Sequence, residues 1–356
     1  MIEVHIFNAL LLPSLKSTQW FEFLTFINGL VAPAFLFVSG FAFIVSSERR
    51  IDEIRKYGSY FWNKVSRIGL IFLAGYSLHL PFFSFSKIIH TTSASHLNTW
   101  FNVDVLQCIA SGLLLLLILR IIIKKDKLFY VIVICLTFLI SLVSPFIWRI
   151  DFGESIPVFF ADYFNQLHGS FFPLFPWLFF LLAGAVFSRY YTNSRNENRE
   201  KEFIKKIFLY SLILVFVCRF FLFDPFNIFL LNIRPNPLFL FERLGYVLIL
   251  ASLFWYLSFE RETKKSFVLD VGRESLLVYW LHLQVIYSKI WSGKSFEDIV
   301  SNKFSILQCI AATLLLIFLM IIVAKIWGSF KKKYPAYIRP VTAGVITLTL
   351  IVFVFI

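Results

Sequence analysis

Apolar residues gather along this chain into recurrent runs, most of them about 17–24 residues long, separated by short polar stretches. The runs fall at about 1–12, 22–46, 67–85, 104–123, 128–148, 171–188, 207–224, 238–258, 267–289, 304–327 and 341–356. A helix of that length crosses a hydrocarbon core of roughly 30 Å, and a helix satisfies its own backbone where water is absent. The pattern predicts an all-α fold, a polytopic transmembrane helix bundle of about 10–11 spans. It reads as a single transmembrane domain over residues 1–356, with no soluble module, no repeat and no cleavable signal peptide. The first run is anomalous, because Met1 to Leu12 would rise only about 18 Å as a helix. Half a helix is therefore expected upstream of Met1, and an intact native mass above 41.7 kDa would reveal it.

Composition agrees with the pattern. Hydrophobic residues make up 59% of the chain and charged ones 15%, with 46 phenylalanines. Soluble domains carry closer to a quarter charged residues. The net charge of +13 would suit a polyanion partner, but its placement argues for topology instead. Loops at 47–67, 120–127, 189–206, 259–266 and 328–340 hold 23 of the 34 Lys and Arg residues. The alternating loops at 13–21, 85–103, 149–170, 225–243 and 289–303 hold eight. Positive charge is retained on the cytoplasmic side, so the rich loops are expected inside and the C-terminus outside. The expected partner is the lipid bilayer of the cell (inner) membrane; no nucleic acid is implied, and a homo-oligomer is compatible with the pattern. Cys108, Cys135, Cys218 and Cys309 lie inside apolar runs without metal-site spacing, as small packing residues would.

Candidate chemistry centres on histidine. His90, His96 and His168 fall in the outer loops, His79 lies near an outer helix end, and His5 and His282 are buried in spans. His5 sits about 12 Å, and His282 about 10 Å, below the expected outer boundary at 1.5 Å per residue. Ionisable groups are costly in lipid, so two at matching depth are expected to face a polar cavity, or else to hydrogen-bond neighbouring helices and serve packing. Ser275, Tyr279 and His282 lie at i, i+4 and i+7, on one face of the ninth span. Asp270 and Arg273 sit near its inner end, where Arg273 either meets a phosphate or snorkels to the interface. Outer helix ends carry Asp104, Gln107, Glu242 and Arg243, with Arg219 deeper; adjacent Glu242 and Arg243 cannot face each other, so each needs a partner on another helix. Pro173 and Pro176 suit a helix start and would fix the entry of the sixth span beside His168.

Four segments together resemble a known family. Leu30-Val-Ala-Pro-Ala-Phe-Leu-Phe-Val-Ser-Gly40, Val105-Leu-Gln-Cys-Ile109, Phe172-Pro-Leu-Phe-Pro-Trp-Leu-Phe-Phe-Leu-Leu-Ala-Gly184 and Gly272-Arg-Glu-Ser-Leu-Leu-Val-Tyr-Trp-Leu-His282 are similar, in order, to motifs of the heparan-α-glucosaminide N-acetyltransferase catalytic-domain family. The resemblance implies a membrane acyltransferase that moves an acetyl or acyl group from cytoplasmic acetyl-CoA or another acyl-CoA to a hydroxyl or amine of an extracytoplasmic glycan or similar acceptor. Acyl-CoA would be the co-substrate, with no metal. Acyl transfer needs a base for the acceptor proton and donors for the developing oxyanion. His5 is then the first choice as base and His282 the second, with Asp104 orienting a histidine. Gln107, His168, Arg243, Ser275 and Tyr279 would contact the acceptor, and Arg273, Lys64 and Arg67 the phosphates of CoA. The chain departs from the family in lacking an opening Arg-Gly segment, in having no histidine between Lys16 and Trp20, and in carrying Cys108 where the family has arginine. The rival reading is a transporter or flippase for a polar lipid or sugar, since buried polar groups also mark substrate paths. A structural subunit is a third reading, with little use for histidines at matched depth.

Overall fold

The structure is a computed structural model and describes residues 1–80, 85–91, 100–223, 233–259, 267–288 and 294–355. His96 and nearly all of the basic loop 259–266 lie outside the described residues. Among those described, regular structure is helical, apart from an isolated parallel bridge between Leu11 and Phe304. The helices used below are α1 (Ile2–Leu10), α2 (Gln19–Asn28), α3 (Val31–Glu48), α4 (Ser59–Leu78), α5 (Val105–Ile122), α6 (Asp126–Ile147) and α7 (Leu174–Asn196). They continue with α8 (Glu200–Leu222), α9 (Pro237–Phe259), α10 (Phe267–Arg273), α11 (Ser275–Tyr287), α12 (Ile306–Lys333) and α13 (Ile338–Phe355).

The fold is an all-α polytopic membrane bundle. Seven helical stretches among the described residues are long and apolar enough to cross a bilayer, α2 and α3 counting as one. The remaining expected spans overlap helices that are shorter or more charged, the one expected at 67–85 lying earlier, at Ser59–Leu78. The first, α1, has nine residues and α11 has thirteen. Helices α4 and α8 carry Lys and Arg in their first halves, which dilutes their apolar runs.

Packing divides the chain into two compact units: Met1–Asn28, Ser77–Trp100 and Thr263–Ile356 form unit 1, and Gly29–Tyr76 with Phe101–Glu262 forms unit 2. Unit 2 is built on a close crossing of α3 and α7. A Cβ added at Gly40 would collide with the Leu181 carbonyl oxygen, and one at Gly184 with that of Phe37. Small residues at such a contact let two backbones approach, which is how helices gain packing energy where lipid removes the hydrophobic drive. Helix α6 also packs on α7, and α8 pairs with α9.

One end of this core is tied by Arg120, which is 1% exposed. Its guanidinium donates to Asp126 Oδ1 at 2.8 Å and to the Tyr130 hydroxyl at 3.0 Å, and reaches Glu48 at 3.4 Å. It also lies 3.9 Å from the centre of the Phe129 ring. One arginine so joins α3, α5 and α6, with its charge compensated by two carboxylates.

Unit 1 places α1 against α11 and α12. Ile6, Phe7, Ala9 and Leu10 of α1 pack with Val278, Ile286, Leu316 and Met320. A nine-residue helix is marginal alone, so tertiary contacts must hold it. Its end is clipped to the 302–304 segment: Phe304 N donates to Leu10 O at 2.9 Å, and Leu12 N to Phe304 O at 3.0 Å. Lys16 Nζ spans the same place, donating to Asn8 O at 2.7 Å and Asn302 Oδ1 at 3.0 Å.

Candidate active site

The clip and the α1–α11 contact bring His5 and His282 together. Their ring centroids are 5.4 Å apart, tilted by 53°. Each histidine lies five residues before the end of its helix, so the equal depth read from sequence corresponds to a real contact. Tyr279 packs edge-on to His282 at 5.5 Å, one turn below it on the same face. The Tyr287 hydroxyl is 3.3 Å from His5 Nδ1.

The hydrogen bonding fixes the His282 tautomer. Nδ1 is 2.7 Å from the Val278 carbonyl oxygen, which can only accept, so Nδ1 carries the proton. Nε2 then presents a bare lone pair. It is buried and has no hydrogen-bond partner, and the residue is only 1% exposed. A buried acceptor left unmatched costs stability, which makes this nitrogen a candidate for work on a ligand. Ser275 opens α11, half-buried, on the same side of the helix.

The ninth span is not one helix. Glu274 takes φ −102° and ψ 21°, which separates α10 from α11. Its buried carboxylate is held by Lys331 Nζ at 2.5 and 2.6 Å. Beside it lies a cleft of about 320 Å³ lined by Asp270, Arg273, Glu274, Gly328, Lys331 and Lys332. Arg273 and Lys332 each stand 3.9 Å from Asp270, outside hydrogen-bond range, so the cleft has more positive charge than its carboxylates compensate.

The other predicted residues belong to unit 2. Asp104 caps α5, its Oδ1 accepting from Val105 N at 2.7 Å, while Gln107 Oε1 accepts from Asp104 N at 3.2 Å. These two therefore form a capping box, a structural duty that their spacing encodes. His168 Nε2 is 2.8 Å from Asp151 Oδ1, and this contact holds the Asp151 carboxyl below its usual range. Arg243 lies over the Phe239 ring at 4.7 Å. Its neighbour Glu242, 1% exposed, meets Arg219 Nε of α8 at 2.6 Å, the cross-helix pairing that adjacent charges require. Lys64 donates to Ser46 Oγ at 2.5 Å and lies over the Phe43 ring, and Arg67 is exposed.

Sequence reasoning missed a polar group in the loop after α6. Asp162 is fully buried, and burial pushes its carboxyl up from 3.8 to about 6, against the opposing pull of His168 and Ser170. Next to it the hydroxyls of Tyr163 and Tyr76 are 2.6 Å apart. The 149–170 loop gives no helical periodicity from which these contacts could be read.

The family described as heparan-alpha-glucosaminide N-acetyltransferase, catalytic, matches residues 1–223. The chain belongs to that family. The matched stretch covers the Gly40 and Gly184 segments and His5, and it ends before α11 and His282. Neither the curated proteins nor the solved structures contain a match.

Proposed function

We propose that the chain transfers an acetyl group from acyl-CoA to an amine or hydroxyl of a glycan-like acceptor, with His282 as the general base. The observation that carries this reading is the bare, buried Nε2 of His282 beside His5. It reverses the order of choice between the histidines, because His5 Nδ1 already has the Tyr287 hydroxyl beside it. His282 Nε2 takes the acceptor proton as the acceptor nitrogen or oxygen attacks the thioester carbonyl. The C–S bond breaks, and the imidazolium returns the proton to the departing CoA thiolate. His5 and the Tyr287 hydroxyl orient and polarise the pair.

Unit 1 also offers a place for the phosphates of the donor. Arg273, Lys331 and Lys332 line the cleft at the start of α11, and His282 lies seven residues up that helix from Ser275, about 10 Å at the α-helical rise. An extended pantetheine arm covers such a span. With the basic loops inside, the cleft faces the cytoplasm and the histidines lie toward the outer leaflet of the cell membrane, where a glycan is met.

A break in a membrane helix, as at Glu274, favours the transporter alternative, since discontinuous helices line substrate paths. Membership of an acetyltransferase family outweighs it. The separating experiment is titration of the purified protein in nanodiscs with acetyl-CoA, followed by release of CoA thiol on adding D-glucosamine. Saturable binding and acceptor-dependent thiol release are expected; absence of both hands the protein to the transporter reading.

A further inference from the structure

Helices α3 and α4 meet where both leave their apolar course. Residues 31–47 of α3 carry no charge, and Glu48, Arg49 and Arg50 follow at once. In α4, Lys64 and Arg67 precede a run to Leu78 that carries none. The two turning points lie side by side. Lys64 Nζ donates to Ser46 Oγ at 2.5 Å, and the Tyr60 hydroxyl donates to Ser46 O at 2.6 Å. Two neighbouring helices that turn from uncharged to charged at one level mark the lipid headgroups, and exposed Tyr57 and Trp62 suit the same level.

Positive charge collects there without an anion. Lys64 Nζ lies 4.7 Å from the centre of the Phe43 ring and 5.3 Å from that of Tyr60, and Arg50 lies 5.2 Å from the same Tyr60 ring. Arg67 stands one turn beyond Lys64 on the same side of α4, so the two like charges repel. Ser46 Oγ donates to Phe43 O at 3.0 Å and uses one of the three ammonium donors of Lys64. Among the described residues, none of the three cations meets a carboxylate. The Glu48 carboxylate at the end of α3 is taken up by Arg120 and the Tyr130 hydroxyl. Arg50 and Arg67 are exposed and Lys64 is half-buried, so the cluster opens to the outside of the protein.

The rest of that face says what lies outside. Trp62, Ser66, Gly69 and Leu73 recur at i, i+4, i+7 and i+11 and are all exposed, so the side of α4 beside Arg67 runs on without charge along the helix. Lipid covers such a side, and the anion within reach is a lipid phosphate. A zwitterionic headgroup brings its own cation; a headgroup with net negative charge does not.

We propose that Arg50, Lys64 and Arg67 bind the phosphate of an anionic phospholipid, of the phosphatidylglycerol kind, and that the bound lipid fastens α3 to α4. The site replaces the CoA contact that the family resemblance implies for Lys64 and Arg67. It goes beyond the acetyl-transfer reading and stands whether or not the chain transfers acetyl groups.

The test is native mass spectrometry of the full chain released from vesicles of equal phosphatidylglycerol and phosphatidylcholine. The wild type is expected to retain phosphatidylglycerol in preference. Lys64→Gln and Arg67→Gln should each lower that preference about fivefold, the weight of one cation at a membrane surface. Lys205→Gln, which removes an exposed cation from α8, should leave it unchanged. If Lys64→Gln does not fold, the exposed Arg67→Gln carries the test. Excess CoA or inorganic phosphate should leave the lipid in place; displacement by either would assign the cluster to a soluble phosphate and overturn the proposal. Equal retention of the two lipids, or an equal loss in Lys205→Gln, would overturn it as well.

Discussion

The two units spend similar apolar sequence in different ways. In unit 2, 61% of the α5 window is buried within the protein, and α3 and α7 meet backbone to backbone through Gly40 and Gly184. In unit 1, 22% of the α12 window is buried and no residue of the α13 window is fully buried, so most of their surface is left for lipid. The comparison teaches that hydropathy reports a membrane solvent without saying which helices pack. In both units the polar groups of interest sit where helices end. The histidine pair is held by a clipped short helix, and Asp162 by a loop.

The sharpest way to break the comparison is Gly184→Leu. Its side chain would have to occupy the place of the Phe37 carbonyl, so unit 2 should not form. The expected result is no monodisperse protein on size-exclusion chromatography; a well-behaved variant would refute the close crossing. Next in size is Arg120→Ala, which leaves the Glu48 carboxylate with the Tyr130 hydroxyl but no cation and should destabilise by about 3 kcal/mol in a reversible unfolding assay. An effect near zero would mean that the cluster does not fasten α3, α5 and α6.

A smaller effect has a defined pH dependence. The Asp162 carboxyl is raised by burial to about 6, so folding disfavours its ionised form. Its contribution is most favourable below pH 3.8 and is lost as pH rises to about 6. Asp162→Asn should therefore raise the thermal midpoint at pH 8, with the gain over wild type shrinking toward pH 4. A gain that grows on acidification would reverse the sign and reject the assignment. Smallest of all, Leu315→Ala on the 61% exposed flank of α12 should shift stability by less than about 0.5 kcal/mol. A large loss there would show that this face is covered by protein.

How much of this was legible follows the same division. The segments ending in Gly40 and Gly184 could be read as related motifs, though nothing in either one says that the two glycines meet. The matching depth of His5 and His282 was legible because helical rise converts sequence position into depth, but their contact was not, since depth does not say which helices are neighbours. The break at Glu274 was hidden, since the run through Arg273 and Ser275 keeps its apolar period while the distant Lys331 holds the carboxylate. The capping duty of Asp104 was available from its spacing to Gln107. Asp162, Tyr76 and Tyr163 come together through a loop, where no period links position to contact.

The account stands on a proton acceptor at the end of a short helix. Single-turnover acetyl transfer from acetyl-CoA to D-glucosamine, followed by CoA thiol release in proteoliposomes, tests it for His282→Ala against wild type at equal folded protein. Removing the base is expected to slow transfer by about 10²–10⁴-fold while leaving acetyl-CoA binding intact. Transfer at the wild-type rate would show that the bare nitrogen beside His5 takes no proton.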